Sequence, residues 1–311
     1  MQLIRGMHNL QGKIPGCALT IGNFDGVHLG HQAILRRLRR KADELQLPMA
    51  VMLFEPQPRE YFSGQNAPAR LMRLRDKLTH LDKAGADYVI CVKFDRQFSA
   101  LPAQVFIRDW LVGRLAVGFL SLGDDFRFGA QRTGDFSLLC RESARFGFQV
   151  EENPTFYLGE QRVSSTAIRR ALAENDLEAA ELMLGRPYAI TGRVAHGNKL
   201  GRTIGFPTAN ILLHRQVNPV HGVYAVKVRL KNRKFFYGVA NIGRRPTING
   251  VKQLLEVHLF DFNQDIYGQP LEVILCRHLR AEMKFPSFEH LKQQIARDVG
   301  SAYAFFSKKT L

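Results

Sequence analysis

Two histidines stand three residues apart in Gly22-Asn23-Phe24-Asp25-Gly26-Val27-His28-Leu29-Gly30-His31, at the start of an amphipathic stretch. Residues at that spacing share one face of a helix. Gly30 between them carries no side chain to keep a phosphate from the backbone. The unpaired N–H groups and positive dipole end of the helix add affinity for anions. Attack at an α-phosphate needs such a set, because in-line displacement loads negative charge onto the non-bridging oxygens. Preorganised donors aimed at that charge stabilise it. The same residues also suit an ordinary capped helix with incidental histidines. A second cluster, Val163-Ser164-Ser165-Thr166-Ala167-Ile168-Arg169, opens a later helical pattern with three hydroxyls and an arginine. Those groups can hold terminal phosphates, or Ser164 to Thr166 can simply cap the helix.

Two further constellations lie in the second half. Residues Gly192 to Asn210 contain Gly197, Gly201 and Gly205 at irregular spacing, a backbone able to wrap closely around phosphates. Lys199 and Arg202 can offset their charge, and Thr208 and Asn210 offer oxygens for a hard cation such as Mg²⁺. A long connection between strands is the plainer reading. Further on, Leu254 to Phe260 alternates, so Glu256, His258 and Phe260 share one strand face and Leu255, Val257 and Leu259 the other. A carboxylate there is costly unless it is paired or faces a site. Glu256 is therefore either a general base for an attacking hydroxyl or a partner for a nearby arginine.

The elements that must position these groups fall into two grammars. Apolar runs at Cys17–Ile21, Met49–Phe54, Tyr88–Phe94 and Leu115–Leu122 alternate with helical patterns at Leu29–Leu45, Leu71–Ala84 and Ala103–Val112. That pattern predicts a Rossmann-like α/β domain with a parallel sheet covered on both faces, whose ligands bind at the carboxyl ends of the strands. Gly22 to Asp25, Glu55, Asp95 and Asp124-Asp125 all follow strand ends. Helical patterns continue from Ser165 to Leu184. After Tyr188 the strands Val223–Leu230, Phe235–Ala240, Leu254–Phe260 and Leu271–Leu279, with a closing helix at Phe288–Ala304, predict a small antiparallel barrel. The helix stop and Gly/Pro punctuation at Leu184-Gly185-Arg186-Pro187 divide the chain into residues 1–184 and 185–311.

Composition narrows the class. The 311 residues are 45% hydrophobic and 23% charged, enough for two real cores. No apolar run is long enough to span a bilayer, and the first ten residues lack the features of a signal peptide. The cysteines Cys17, Cys91, Cys140 and Cys276 have neither metal nor redox spacing, so the expectation is a reduced, cytoplasmic protein without a membrane partner. A net charge of +16 suits anionic partners. The densest basic cluster, Arg36 to Lys41, follows the apolar pattern Ile34, Leu35, Leu38, as a solvated helix face would.

The pair of clusters resembles the H-x-G-H nucleotidyltransferase superfamily, and no G-x-x-x-x-G-K-[ST] loop is present. With F-E-P-Q-P (Phe54–Pro58), L-G-D-D-F-R-F-G (Leu122–Gly129) and Gly134-Asp135, the first half resembles the FAD synthetase module of bacterial bifunctional flavin-cofactor enzymes. That resemblance implies that His28 and His31 steady the transition state and that Gly22, Asn23, Asp25 and Gly30 form the nucleotide turn, with Asn23 on phosphate. It puts Ser164, Ser165, Thr166 and Arg169 on the triphosphate and Asp125 by the substrates or Mg²⁺. Phe62, Phe126 and Phe128 become candidates to stack on flavin or adenine. The run G-F-P-T-A-N (Gly205–Asn210), with G-V-Y-A-V, G-V-A-N-I-G-R-R-P-T, L-E-V-H-L-F-D-F and L-R-A-E-M-K-F, is similar to riboflavin kinase. The family's barrels are six-stranded; Thr208 and Asn210 would bind Mg²⁺-ATP and Glu256 would activate the ribityl hydroxyl. The substrates implied are riboflavin, ATP, FMN and FAD, with no nucleic acid. Two other readings compete. A class I aminoacyl-tRNA synthetase shares H-x-G-H, but the chain is short and has no K-M-S-K-S-like loop. A flavin-responsive nucleic-acid-binding regulator fits the charge but has no use for Glu256.

Overall fold

A computed structural model of the chain describes residues 1–10, 14–196, 205–213, 217–232, 234–247 and 250–308. They form two units, Met1–Pro68 with Met72–Ser165, and Ala69–Leu71 with Thr166–Leu311. In the first, apolar runs become the strands β1 (Gln2–Arg5), β2 (Cys17–Ile21), β3 (Met49–Glu55), β4 (Tyr88–Lys93), β5 (Val117–Gly123) and β6 (Gln149–Asn153). They pair in the order β1-β4-β3-β2-β5-β6, every pair parallel. All five residues of β2 are buried, as expected for a strand covered on both faces. Alternation sends Leu19 and Ile21 into one core cluster with Phe106 and Ile107, and Ala18 into the other with Leu35 and Leu38. The chain runs outward from β2 through β3 to β4, then returns to β5 and β6 on the other side of β2. Loops leaving β2 and β5 therefore share the crevice where strand order reverses.

Helices α1 (Leu29–Glu44), α2 (Pro58–Ser63), α3 (Leu74–Lys83), α4 (Arg96–Ser99), α5 (Ala103–Val105) and α6 (Phe136–Phe146) connect these strands. In α1 the buried positions Leu35, Leu38 and Ala42 form one stripe, while Arg36, Arg37 and Arg40 stay exposed. Arg37 pairs with Glu151, and Arg39 with Asp43 and Asp87, so the basic cluster is partly a structural surface. The single helix expected over Ala103–Val112 instead widens at Phe106–Val112 into i to i+5 hydrogen bonding. The Gly113 N–H donates to the Arg108 carbonyl at 2.9 Å. β6 was not expected, because Gln149-Val150-Glu151-Glu152-Asn153 is a polar edge strand. A short hairpin, β7 (Tyr157–Leu158) with β8 (Gln161–Arg162), follows.

The helical run expected over Ser165–Leu184 is two helices, α7 (Ser165–Ala173) and α8 (Leu177–Leu184). Asn175 turns left-handed between them, and the Asp176 carboxylate caps α8 by accepting from the Ala179 N–H at 2.9 Å. Gly185 closes α8 in the left-handed conformation. In the second unit β9 (Ala189–Ala195), β10 (Ala209–Leu212), β11 (Gly222–Arg229), β12 (Phe235–Thr247), β13 (Gly250–Leu259) and β14 (Pro270–Arg280) close a six-stranded barrel in the order β10-β13-β12-β11-β14-β9. All its pairings are antiparallel. Tyr224, Val226, Val228, Leu255 and Val257 fill the interior. Outside, Val223, Ala225, Val239 and Phe260 pack beneath Ala302 and Phe306 of α9 (Phe288–Ser307). The Arg280 guanidinium grips the buried Asp298 carboxylate at 2.8–3.1 Å and fastens that helix to β14. Among the described residues no helix is long and apolar enough to cross a membrane.

Candidate active sites

The turn between β2 and α1 is strained and tied down from several sides. Phe24 and Val27 adopt φ of 47° and 39°, a region that side chains other than glycine seldom occupy. Both rings and methyls are buried in the cluster that contains Leu81 and Met72, so packing holds the strain. The Met72 N–H donates to the Asp25 carboxylate at 3.3 Å, and Ser165 Oγ donates to the Asp25 carbonyl at 2.8 Å. Asp25 is thus a buried structural tie as seen here. Gly22 donates its N–H to the Met52 carbonyl of β3.

His28 is the N-cap of α1, and its Nδ1 accepts the His31 N–H at 3.3 Å. With Nδ1 accepting, the ring proton of a neutral His28 sits on Nε2. The two rings stack with centroids 3.6 Å apart. A Cβ at Gly30 would lie 3.2 Å from the His28 ring and 3.4 Å from Phe156 Cβ, so the glycine makes room for the ring as well as for a ligand. Part of His31 stays at the surface, yet its Nδ1 is enclosed with no partner. Desolvation, then the neighbouring His28 and Lys77, hold the His31 pKa well below 6.5. Asn23 Oδ1 and Gln57 Nε2 are likewise enclosed without partners among the described residues. Asn23 follows β2 and Gln57 follows the adjacent β3, so both belong to the carboxyl edge of the sheet. Orphaned polar atoms clustered along one edge are what a polar ligand would satisfy.

Other expected residues sort unevenly. Asp125 is exposed and pairs with Arg162 at 3.1 Å, while Asp124 accepts from the Thr155 N–H and hydroxyl. Phe128 is 8% exposed and packs in the core against Phe106, which suits a structural ring better than a platform. Phe62 is 69% exposed, edge-on to Tyr61 and Phe94. Ser164 precedes α7 and Ser165 begins it; Thr166 and Arg169 belong to the second unit, where Arg169 Nε donates to the Ala69 carbonyl at 2.5 Å.

In the barrel, register does what sequence spacing could not. Glu256 lies directly opposite Asn210 of β10 and Asn241 of β12. Three polar side chains therefore form one row on the outer face, since Leu255 and Val257 point inward and Phe260 packs under α9. The Glu256 carboxylate makes no hydrogen bond or ion pair with another described residue, its backbone being used in the ladders with β10 and β12. Asn210 Nδ2 reaches only the Thr208 carbonyl, at 3.5 Å. Thr208 and Asn210, with Val257, Leu259, Asp265 and Tyr267, line a cavity of about 470 Å³. His258 Nδ1 meets the Pro207 carbonyl at 2.9 Å and fixes the approach to β10. Asn210 sits within a strand and not in the long loop expected of it. Gly197, Lys199, Gly201 and Arg202 lie outside the described residues.

Three residues escaped the sequence reading. Asn241 could be found only through register. Gln57 sits in the quoted F-E-P-Q-P run but had no assigned part. Lys77 occupies the apolar stripe Leu74, Leu78, Leu81 of α3, and a lysine at that spacing is itself a signal.

Similarity to known proteins agrees with the two-unit division of labour. Residues 11–167 match the FAD synthetase family model and residues 184–306 the riboflavin kinase model. A "Bifunctional riboflavin kinase/FMN adenylyltransferase" of Haemophilus influenzae is 67% identical over 307 residues, covering 99% of this chain and 100% of the relative. The protein of that name from Escherichia coli K12 is 56% identical and covers 98% of each chain. A solved structure described as a macrolide-efflux protein from Streptococcus pneumoniae is 30% identical, with a TM-score of 0.80, covering 96% of this chain and 97% of that one. By its two family models and its full-length relatives, the chain belongs to the bifunctional riboflavin kinase/FMN adenylyltransferase family.

Proposed function

We propose that residues 1–184 transfer AMP from ATP to FMN, and that residues 185–311 phosphorylate riboflavin, so that one chain makes FMN and then FAD. In adenylyl transfer a phosphate oxygen of FMN attacks the α-phosphorus of ATP, the bond to the bridging oxygen breaks, and pyrophosphate leaves. His28 Nε2–H and the His31 ring face the charge that develops on the α-phosphate, with backbone N–H groups of α1 beside them. Asn23 serves a phosphate through its unsatisfied side chain. Gly22 and Asp25 shape the turn, Gly30 leaves it open, and Asp125 stands by at the β5 end. Ser164, Ser165, Thr166 and Arg169 take the β- and γ-phosphates. The single observation that carries this half is the stacked histidine pair capping α1 at the crevice beside β2 and β5.

In the barrel, Glu256 takes the proton from the ribityl 5′-hydroxyl as its oxygen attacks the γ-phosphorus, and ADP leaves. A carboxylate without a described partner, flanked by two amides, suits that task. Gly197, Lys199, Gly201 and Arg202 wrap the ATP phosphates. Thr208 and Asn210 would hold Mg²⁺; their neutral oxygens at the rim of one cavity fit a hard cation that keeps waters. An ion held there would neutralise phosphate charge. The partners are small molecules, and ATP and reduced cysteines agree with a cytoplasmic enzyme. The regulator reading loses its motive once both halves match enzyme families.

The test is one incubation of the protein with riboflavin, ATP and Mg²⁺, flavins being separated over time. FMN first and FAD after it is the expected course. FMN alone would leave residues 1–184 without their proposed role, and the appearance of neither product would overturn the assignment.

A further inference from the structure

Lys77 is 1% exposed, one of the largest side chains buried anywhere in the described chain. An amine so enclosed is costly unless its donors are used. Its Nζ donates to the Asn23 carbonyl at 2.6 Å, in the middle of the strained turn. The residue comes from α3, whose Leu74, Leu78 and Leu81 pack in the same cluster as Phe24 and Val27. That packing already supplies an apolar anchor, so a leucine or methionine at position 77 would be the cheaper way to fill the space. A lysine there serves something other than the core.

We propose that Lys77 is a positioning residue for adenylyl transfer, its amine holding the Asn23 carbonyl so that the turn presents Asn23 and the histidine pair to ATP. The proposal rests on the reading of His28, His31 and Asn23 given above. The bond acts on the residue between Gly22 and the left-handed Phe24, where a small change in ψ would swing the Asn23 side chain away from the crevice. Phe24 in turn packs against the His31 ring, with centroids 4.9 Å apart, so a relaxed turn would also loosen the stacked pair. Charge adds a second effect. Lys77 and His28 are the positive neighbours that, after desolvation, keep His31 neutral. His31 therefore meets the nucleotide as a neutral ring.

The decisive variant is Lys77→Met, which keeps the bulk and removes the amine. Adenylylation of supplied FMN should fall at least about 30-fold in kcat with KM for FMN within about 3-fold, the pattern of a lost transition-state interaction. Riboflavin phosphorylation by the same molecules is the internal control and should be unchanged. Lys77→Arg, which retains a positive donor, should recover part of the loss. The acid limb of the adenylylation pH profile should move upward in Lys77→Met, because His31 becomes easier to protonate; a role in folding alone would not move it. Should Lys77→Met unfold the first unit, Lys77→Gln, which also removes the positive charge, carries both the kcat and the pH measurement. Adenylylation by a folded Lys77→Met or Lys77→Gln variant within about 3-fold of wild type would overturn the proposal. His28→Ala, run beside it, separates the two readings: if His28→Ala keeps FAD formation, the site assignment itself fails. If His28→Ala loses it and Lys77→Met does not, only the part given to Lys77 fails.

Discussion

The two candidate sites solve related problems in phosphate chemistry with opposite architecture. The first is built before any ligand arrives: left-handed Phe24 and Val27 are buried, Asp25 is bonded through its carboxylate and its carbonyl, and Asn23 is held by Lys77. Strain is concentrated in one short turn and resisted by packing around it. The second lies on the outside of a closed barrel, where Asn210, Glu256 and Asn241 stand side by side on three strands with few bonds of their own. Adenylyl transfer to an FMN phosphate asks for no general base, since the nucleophile is already an anion, so fixed donors suffice. Phosphorylation of a hydroxyl has a proton to dispose of, and there a free carboxylate is the useful feature. The difference in chemistry fits the proposal that histidines serve one site and a glutamate the other.

That contrast can be broken at several strengths. The largest effect should come from Glu256→Gln, which keeps the shape and removes the base. FMN formation should fall by about 10²–10⁴-fold while adenylylation of supplied FMN is retained. A glutamine variant that still phosphorylates riboflavin well would make Glu256 structural. His28→Ala should lower adenylylation by about 10²–10³-fold, the usual cost of one preorganised donor, and spare FMN formation. Gly30→Ala is a finer probe. Its methyl would press on the His28 ring at 3.2 Å and shift the pair by a few tenths of an ångström, for an expected loss near ~10-fold in adenylylation kcat. No change would mean that the ring position is not critical.

The smallest effect concerns pH and stability. His31 is held neutral in the folded chain, its pKa pressed below 6.5 chiefly by desolvation. The unfolded chain binds a proton there more readily than the folded one. Its contribution to stability is therefore intact above about pH 6.5 and is lost as pH falls below that value. The melting temperature of wild type should drop more steeply than that of His31→Gln between about pH 6.5 and 5. Parallel curves would show that the ring does not titrate between the two states.

Much of this was legible in the sequence, for physical reasons that can be named. β2, β3, β4 and β5 are largely buried, so each announced itself as a mostly apolar run. β6 is an edge strand with Glu151 and Glu152 in it, and a polar edge has no such signature. The histidine pair was visible because both members lie within one turn of helix. The row formed by Asn210, Glu256 and Asn241 spans strands far apart in sequence, and only the barrel's register assembles it. Phe128 shows the opposite failure: its place in a motif suggested a platform, and burial against Phe106 and Gly134 makes it core. Lys77 was hidden by an assumption about lysines. Its position on the apolar stripe of α3 was readable, but its partner, the Asn23 carbonyl, was not.

The central claim is that the two activities occupy separate sites with separate machinery. It is tested most directly by assaying both half-reactions, FMN from riboflavin and FAD from supplied FMN, on His28→Ala and Glu256→Gln side by side. A crossed pattern, each variant losing one reaction and keeping the other near the wild-type rate, is the result this account predicts. Parallel loss of both reactions in either folded variant would contradict it.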